Sequence, residues 1–337
     1  MPTAMERAEI EAIFTSAALE AVRHYPLTVT SVELVSLAEN VTFRVDADEG
    51  ASYVLRLHRP GYHTLPELRS ERVWLRALAD AGIAVPVPVA SSDGQDYVSV
   101  TVAATGEQRL AGLTHWIDGE IVSQTLSQES DPAVVTRCFG QLGSIMAALH
   151  NQASGWAPPP AFVRHSLDID GLMGEAPFWG RFWEHPELDA VQRDALLATR
   201  EQIRRALQRY GREPGTFSMI HADLHHNNLL VNDEGLTIID FDDAGFGWHQ
   251  YDIAVALFHS AITPNHAEAE AAFFTGYRSL RSLSEADQAL IPMFQLVRGM
   301  AVIGWKMQRP EVEWQPGFFE YLRSWVLDRC AEFAPPC

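Results

Sequence analysis

The feature that most narrows the folds open to this chain is a change of hydrophobic period. Up to about residue 117 the apolar residues come in short alternating runs; beyond it they recur at helical spacing over long stretches. "VTFRVDADEGASYVLRLHR" reads as two strands around the turn "DADEG". In the second strand Tyr53, Leu55 and Leu57 share one face, and Val54, Arg56 and His58 share the other. "LPELRSERVWLRALADAG" reads as a helix stopped at Gly82, and "DYVSVTVAA" and "RLAGLTHWI" as two further strands. A leading helix spans Met5 to His24, with Ile10, Ile13, Phe14 and Leu19 at helical spacing. After "HWIDGE" the pattern turns helical, as in "DPAVVTRCFGQLGSIMAALHNQA" and nearly everything from Tyr251 onward. The expected fold is α+β and bilobal. Residues 1–117 form a small antiparallel-sheet lobe with a leading helix and one packed helix, and residues 118–337 a mainly helical lobe with one polar hairpin.

Composition excludes several function classes. A hydrophobic fraction of 47% over 337 residues suffices for a packed core, yet no apolar run reaches the roughly 18–20 residues of a membrane span. The N-terminal stretch lacks the basic start and apolar block of a secretory signal, so cytoplasm is the expected compartment. A net charge of −19 repels a phosphate backbone and favours a cationic ligand, so nucleic acid is not an expected partner. Cys138, Cys330 and Cys337 form no CxxC pair; the first two read as buried thiols and the last as a terminal residue. Lys306 is the only lysine, so any fixed cation elsewhere must be arginine.

The polar tract "MIHADLHHNNLLVNDEGLTIIDFDDAG" carries the chemistry. His221, His225 and His226 raise a zinc reading, because His221 and His225 stand four apart. The tract is a poor helix, however, and lacks the glutamate of the zinc-protease motif. A hairpin "LLVNDEGLTII" instead brings Asn228 and Asp240 to one end, where amide and carboxylate oxygens suit Mg²⁺. Asp223, five positions before Asn228, is a separate carboxylate beside them. Phosphoryl transfer needs this layout, with oxygens to hold the metal on the nucleotide and a carboxylate to orient the attacking hydroxyl. A plain polar turn accounts for "VNDEG" but not for three polar groups at the opposite end among apolar neighbours.

"HADLHHNNLL" followed by "IIDFDDAG" resembles the catalytic loop and metal-binding strand of the aminoglycoside phosphotransferase family. That family includes choline kinases and type II homoserine kinases and has a protein-kinase-like fold. "LAENVTFRV", "YVLRLHR", "LRSERVWLRALADAG", "THWIDGE" and "LGSIMAALH" follow the same family order, and "IDFDDAGFGWHQYDIA" is similar to the homoserine kinase and stress-response kinase branch. The resemblance implies Asp223 as catalytic base or hydroxyl-positioning group and Asn228 and Asp240 as Mg²⁺ ligands. It implies His221 as a brace of the loop and Asp252 as the buried aspartate bonded to the loop backbone. On the nucleotide side it implies Arg56 in place of the strand lysine, with Glu71 as its helix carboxylate. No Gly-rich phosphate loop is present; Asn40 stands at the turn where one would be. The base, ATP or GTP, stays open.

Asp242, Asp243 and Trp248 are the acceptor-side candidates, acid groups and an aromatic wall suited to an amine; the other reading is loop solvation or capping for the two acids and ordinary core for the tryptophan. The expected activity is transfer of the γ-phosphoryl group of ATP, with Mg²⁺, to a hydroxyl of a small, amine-bearing metabolite. The alternatives are a serine/threonine protein kinase of the stress-response type and a catalytically weak nucleotide-binding module. The oligomeric state is not readable.

Overall fold

A computed structural model describes residues 4–37, 40–126, 131–233, 235–258, 266–310, 312 and 314–334; Cys337 lies outside them. The chain divides into two compact units. One comprises Met1–Glu120, Pro158–Val163 and Leu230–Ile239, the other Ile121–Ala157, Arg164–Leu229 and Asp240–Cys337. Among the described residues no helix is long and apolar enough to cross a membrane.

The first unit is built on an antiparallel sheet. Its strands are β1 (Val29–Leu37), β2 (Val41–Ala47), β3 (Ser52–Leu57), β4 (Pro88–Val89), β5 (Val98–Val102) and β6 (Glu107–His115). They run in the order β1-β2-β3-β6-β4, with β5 also paired to β6. Strict burial alternation along β2 and β3 sends Val41, Phe43, Val45, Tyr53, Leu55 and Leu57 to one face. A helix, α1 (Ala4–Val22), covers that face through Ala17, Ala18, Ala21 and Val22, with Ile13 and Phe14 packed alongside. Leu19, expected in the apolar stripe, is 45% exposed. The helix buries its alanines because small side chains let it lie close on the sheet. A second helix, α2 (Leu65–Asp80), starts at a capping box: the Thr64 N–H donates to the Glu67 carboxylate at 2.8 Å.

The second unit is mainly helical. The helix Pro132–Gly155 begins at Asp131, whose side chain accepts from the Ala133 N–H, and packs along the helix His266–Leu280. Two glycines set how closely these helices approach. A Cβ on Gly143 would lie 2.1 Å from the Phe273 carbonyl, and one on Gly276 would lie 1.9 Å from the Gly140 carbonyl. A small three-stranded sheet adjoins them. In it Gly245–Trp248 pairs antiparallel with Phe217–Ile220 and parallel with Ser166–Leu167. Gly245 is the register partner of Ile220, so the loop leaving Ile220 and the loop arriving at Gly245 meet at one sheet end.

Gly276→Ala should lower the melting temperature by several degrees, a cost of about 1–3 kcal/mol for overpacking a close helix contact. An unchanged melting temperature would show that the helices do not depend on this approach.

Candidate active site

The loop His221–Asn228 leaves the strand Phe217–Ile220 with Ala222 in the left-handed region, at φ 66°. Only glycine enters that region without cost, so something must hold Ala222 there. Asp252 does: its Oδ1 accepts from the Ala222 N–H at 2.7 Å and its Oδ2 from the His221 N–H at 3.1 Å. Asp252 is fully buried on the helix His249–Phe258. Burial pushes its carboxyl above the usual range, against the opposing pull of His221 and the two N–H groups. His150 completes its shell, with Nε2 at 3.2 Å from Asp252 Oδ2 and Nδ1 at 2.9 Å from the Tyr277 hydroxyl. Burial, with Arg281 adding to it, holds His150 well below its ordinary value, hence neutral. Neutral His150 therefore donates to Asp252 through Nε2 and accepts from Tyr277 through Nδ1. Its ring stacks on His249 at 4.2 Å.

Asp223 follows directly. Its Oδ1 accepts from Arg298 Nη2 at 2.5 Å; its Oδ2 accepts from Asn228 Nδ2 at 2.9 Å, and His225 Nε2 lies 3.4 Å from the same oxygen. A carboxylate accepts about four hydrogen bonds, so roughly one position is left for an incoming hydroxyl. Burial opposes the charge on Asp223, but His225 and Arg298 outweigh it and hold the carboxyl well below the usual carboxylate range. Asn228 gives its amide nitrogen to both the Asp223 carboxylate and the Asp223 carbonyl, each at 2.9 Å. That leaves its amide oxygen as an oxygen donor that could serve a metal. His221 is fully buried, its Nδ1 accepting from the Asp223 N–H at 3.3 Å and its ring 4.7 Å from Phe241.

Asn228 directly precedes the strand Leu229–Asn232, and Asp240 follows its neighbouring strand Gly235–Ile238 by two residues, so both stand at one end of the hairpin. Asp240 is left-handed, at φ 64°. Two of the three described non-glycine residues with positive φ, Ala222 and Asp240, thus belong to this site. Arg164 clamps the next turn, donating to the carbonyls of Phe241, Asp242 and Ala244 at 3.1, 2.6 and 2.6 Å. His165 Nε2 lies 3.0 Å from the Asp243 carbonyl. The side chains of Asp242 and Asp243 are half-buried. Trp248 has no exposed surface: its indole N–H donates to the Gly211 carbonyl at 2.8 Å and its ring meets Phe217 edge-on, a core position.

In the first unit Arg56 is half-buried on β3, opposite Thr42 and Gly112, and Glu71 is buried on α2. Both act on Tyr97: burial pushes the Tyr97 phenol up and Arg72 opposes that, while Glu71 pushes it up and Arg56 pulls it down more weakly. Arg72 is itself buried, donating to the Tyr97 hydroxyl at 2.9 Å and to the Leu113 carbonyl at 2.8 Å. A Cβ on Gly112 would lie 2.3 Å from the Arg72 guanidinium, so the glycine opposite Arg56 makes room for Arg72, whose guanidinium also lies 4.8 Å over the Tyr97 ring. Asn40 accepts from the Arg59 N–H at 2.9 Å.

Sequence reasoning missed Arg298, Arg164, Arg72 and His150. The one signal for Arg298 was a lone charge inside the apolar run "PMFQLVRGMAVIGW"; Arg164 had none.

Residues 31–286 match the phosphotransferase enzyme family. Amicoumacin kinase of Bacillus subtilis is 25% identical over 295 residues, covering 85% of this chain and 82% of that protein. A homoserine kinase of Mesorhizobium japonicum is 28% identical over 295 residues, covering 83% and 81%. Among solved structures, a microcompartment-associated aminopropanol kinase is similar at a TM-score of 0.79 and 31% identity, covering 94% of this chain and 95% of that one. Spectinomycin phosphotransferase shares the fold at a TM-score of 0.59 and 15% identity, covering 94% and 97%. The fold is therefore the α+β, protein-kinase-like one.

In the same loop, burial and the neighbouring His225 push His226 down from 6.5 to about 4. Between those values His226 binds a proton in the unfolded chain that it does not bind in the folded one, so its contribution to stability falls as pH drops through the window and levels off below it. His150 and His249 are depressed in the same direction. His226→Gln should therefore show a smaller drop in melting temperature between about pH 7 and pH 4.5 than the unaltered chain. Equal drops would remove His226 from the acid response.

Proposed function

We propose, for a chain that belongs to the phosphotransferase enzyme family and is a kinase acting on a hydroxyl group, that the donor is ATP with Mg²⁺ and the acceptor a small, amine-bearing metabolite. The observation that carries this reading is the Asp223 carboxylate, held by Arg298, Asn228 and His225 with one hydrogen-bonding position left over. An acceptor hydroxyl there donates to Asp223 as its oxygen attacks the γ-phosphorus. The bond from that phosphorus to the β,γ-bridging oxygen breaks, ADP leaves, and the hydroxyl proton passes to Asp223.

The Asn228 amide oxygen and the Asp240 carboxylate are hard oxygen donors and fit Mg²⁺. When bound, the ion would neutralise charge on the nucleotide phosphates. In the first unit we assign Arg56 to the phosphates, with Glu71 as its partner and Asn40 at the phosphate turn. Arginine binds phosphate through its planar fork, which suits a chain with a single lysine. The amine follows from the half-buried Asp242 and Asp243 beside the site and from the −19 net charge. Aminopropanol and homoserine, named in the relatives, are small molecules that carry both an amine and a hydroxyl.

ADP release, followed with ATP and Mg²⁺ over aminopropanol, homoserine, choline, ethanolamine and a basic protein, identifies the acceptor class. Release with one of the amines and none with the protein is the expected result; the reverse makes this a protein kinase. Asp223→Asn should cost about 10²–10⁴-fold in turnover with little change in ATP affinity, and full turnover would remove Asp223 from the chemistry. Asp240→Ala should abolish the Mg²⁺ dependence of nucleotide binding; unaltered dependence places the ion elsewhere.

A further inference from the structure

We infer that Arg298 is the positioning residue for Asp223, an inference that rests on the phosphotransferase reading of Asp223. Arg298 lies on the helix Ile291–Gln308 between Leu296, Val297, Gly299 and Met300, all buried. Its side chain is only 10% exposed. Its guanidinium occupies a slot with three walls. The Asp223 carboxylate accepts from Nη2 at 2.5 Å, the Trp179 ring centre lies 5.9 Å from Cζ, and Tyr251 stacks on Trp179 at 5.9 Å and 23°. Six positions along the helix, a Cβ on Gly304 would lie 2.8 Å from the Trp179 carbonyl and 2.7 Å from the Gly180 carbonyl, so the helix is seated directly on the Trp179 segment.

The division of labour around the carboxylate gives Arg298 its role. Asn228 and His225 both address Oδ2, whereas Arg298 addresses Oδ1. Held at Oδ2 alone, the carboxylate could turn about its last torsion and carry its open lone pair away from the hydroxyl. Held at both oxygens it cannot. The Tyr251 hydroxyl and Asp243 also act on the guanidinium, more weakly than Asp223. Asp223 is the strongest polar partner of the guanidinium, and each group fixes the other. A buried pair of this kind is weak evidence for stability, because apolar residues of similar size often replace one without loss. Its value here is geometric: misplacement by about 1 Å can cost on the order of 10²-fold in rate.

The test uses the full chain as Arg298→Met, Arg298→Lys, Asp223→Asn and the Asp223→Asn/Arg298→Met double variant. ADP release is read with aminopropanol and, in parallel, without an acceptor, where water takes the phosphoryl group. Arg298→Met should lower kcat about 100-fold per folded molecule, with the KM for ATP within about twofold. Arg298→Lys should restore part of that loss, since it returns the charge without the fork. The double variant should be no slower than Asp223→Asn alone, because the two residues act as a unit. Losses that multiply, or an Arg298→Met enzyme with full kcat, overturn the inference while leaving Asp223 in place. If Arg298→Met does not fold, Arg298→Lys decides: its kcat falls if Arg298 positions Asp223, and an unchanged kcat overturns the role. Full turnover by Asp223→Asn overturns both readings together.

Discussion

The bond on which the second unit's site depends is the one from Asp252 to two successive backbone N–H groups. A left-handed alanine costs about 1–2 kcal/mol, and a loop of histidines and asparagines has little of its own to meet that cost. Asp252 meets it with bonds at 2.7 and 3.1 Å, delivered inside a buried shell where they are strong. The shell is closed by His150, whose neutral form is enforced by burial and whose second nitrogen is satisfied by Tyr277. His150 and Tyr277 lie on the two helices that Gly143 and Gly276 allow into close contact. Helix packing, tautomer, loop backbone and the Asp223 carboxylate therefore form one sequence of dependences within a single unit.

Arginine supplies nearly every interior cation. Arg164 spreads its fork over three carbonyls of the turn after Asp240, Arg298 holds Asp223, and Arg72 stacks on Tyr97 while donating to Leu113. The lone lysine is spent elsewhere, its ammonium donating to the carbonyls of Arg309, Pro310 and Val312. An ammonium could serve any one of these carbonyl sets, but a planar fork with fixed donor directions orients the turn as well as neutralising it.

What was legible in the sequence follows the range of the interactions. Alternation in "VTFRV" and "YVLRL" is local, and β2 and β3 alternate strictly. The Asp223–Asn228 contact spans five residues and sits inside one loop, so spacing alone could bring the two together. Arg298 reaches Asp223 across 75 residues, and a helical stripe records only that a charge stands on an apolar face. The leading helix misled for another reason. Pattern reading favours large apolar side chains such as Leu19, while close contact with a sheet rewards Ala17, Ala18 and Ala21. Trp248 reads as a wall of a polar tract, yet its indole N–H finds Gly211 and the ring goes to the core, as a large apolar surface with one satisfied donor should.

In the reaction proposed above, the depressed basicity of Asp223 bears on what that carboxylate would contribute. A general base works best with a pKa near the working pH, and a carboxylate held by His225 and Arg298 lies far below that. Such a group cannot strip a hydroxyl of its proton in advance. Phosphoryl transfer asks little of it, because the transition state is loose and the attacking oxygen needs little added charge until the bond to phosphorus is well formed. The proton can then move late, when the hydroxyl has become acidic. For that step direction matters more than proton affinity, and a carboxylate anchored at both oxygens has direction. The contacts that make Asp223 a weak base are the ones that make it a good guide.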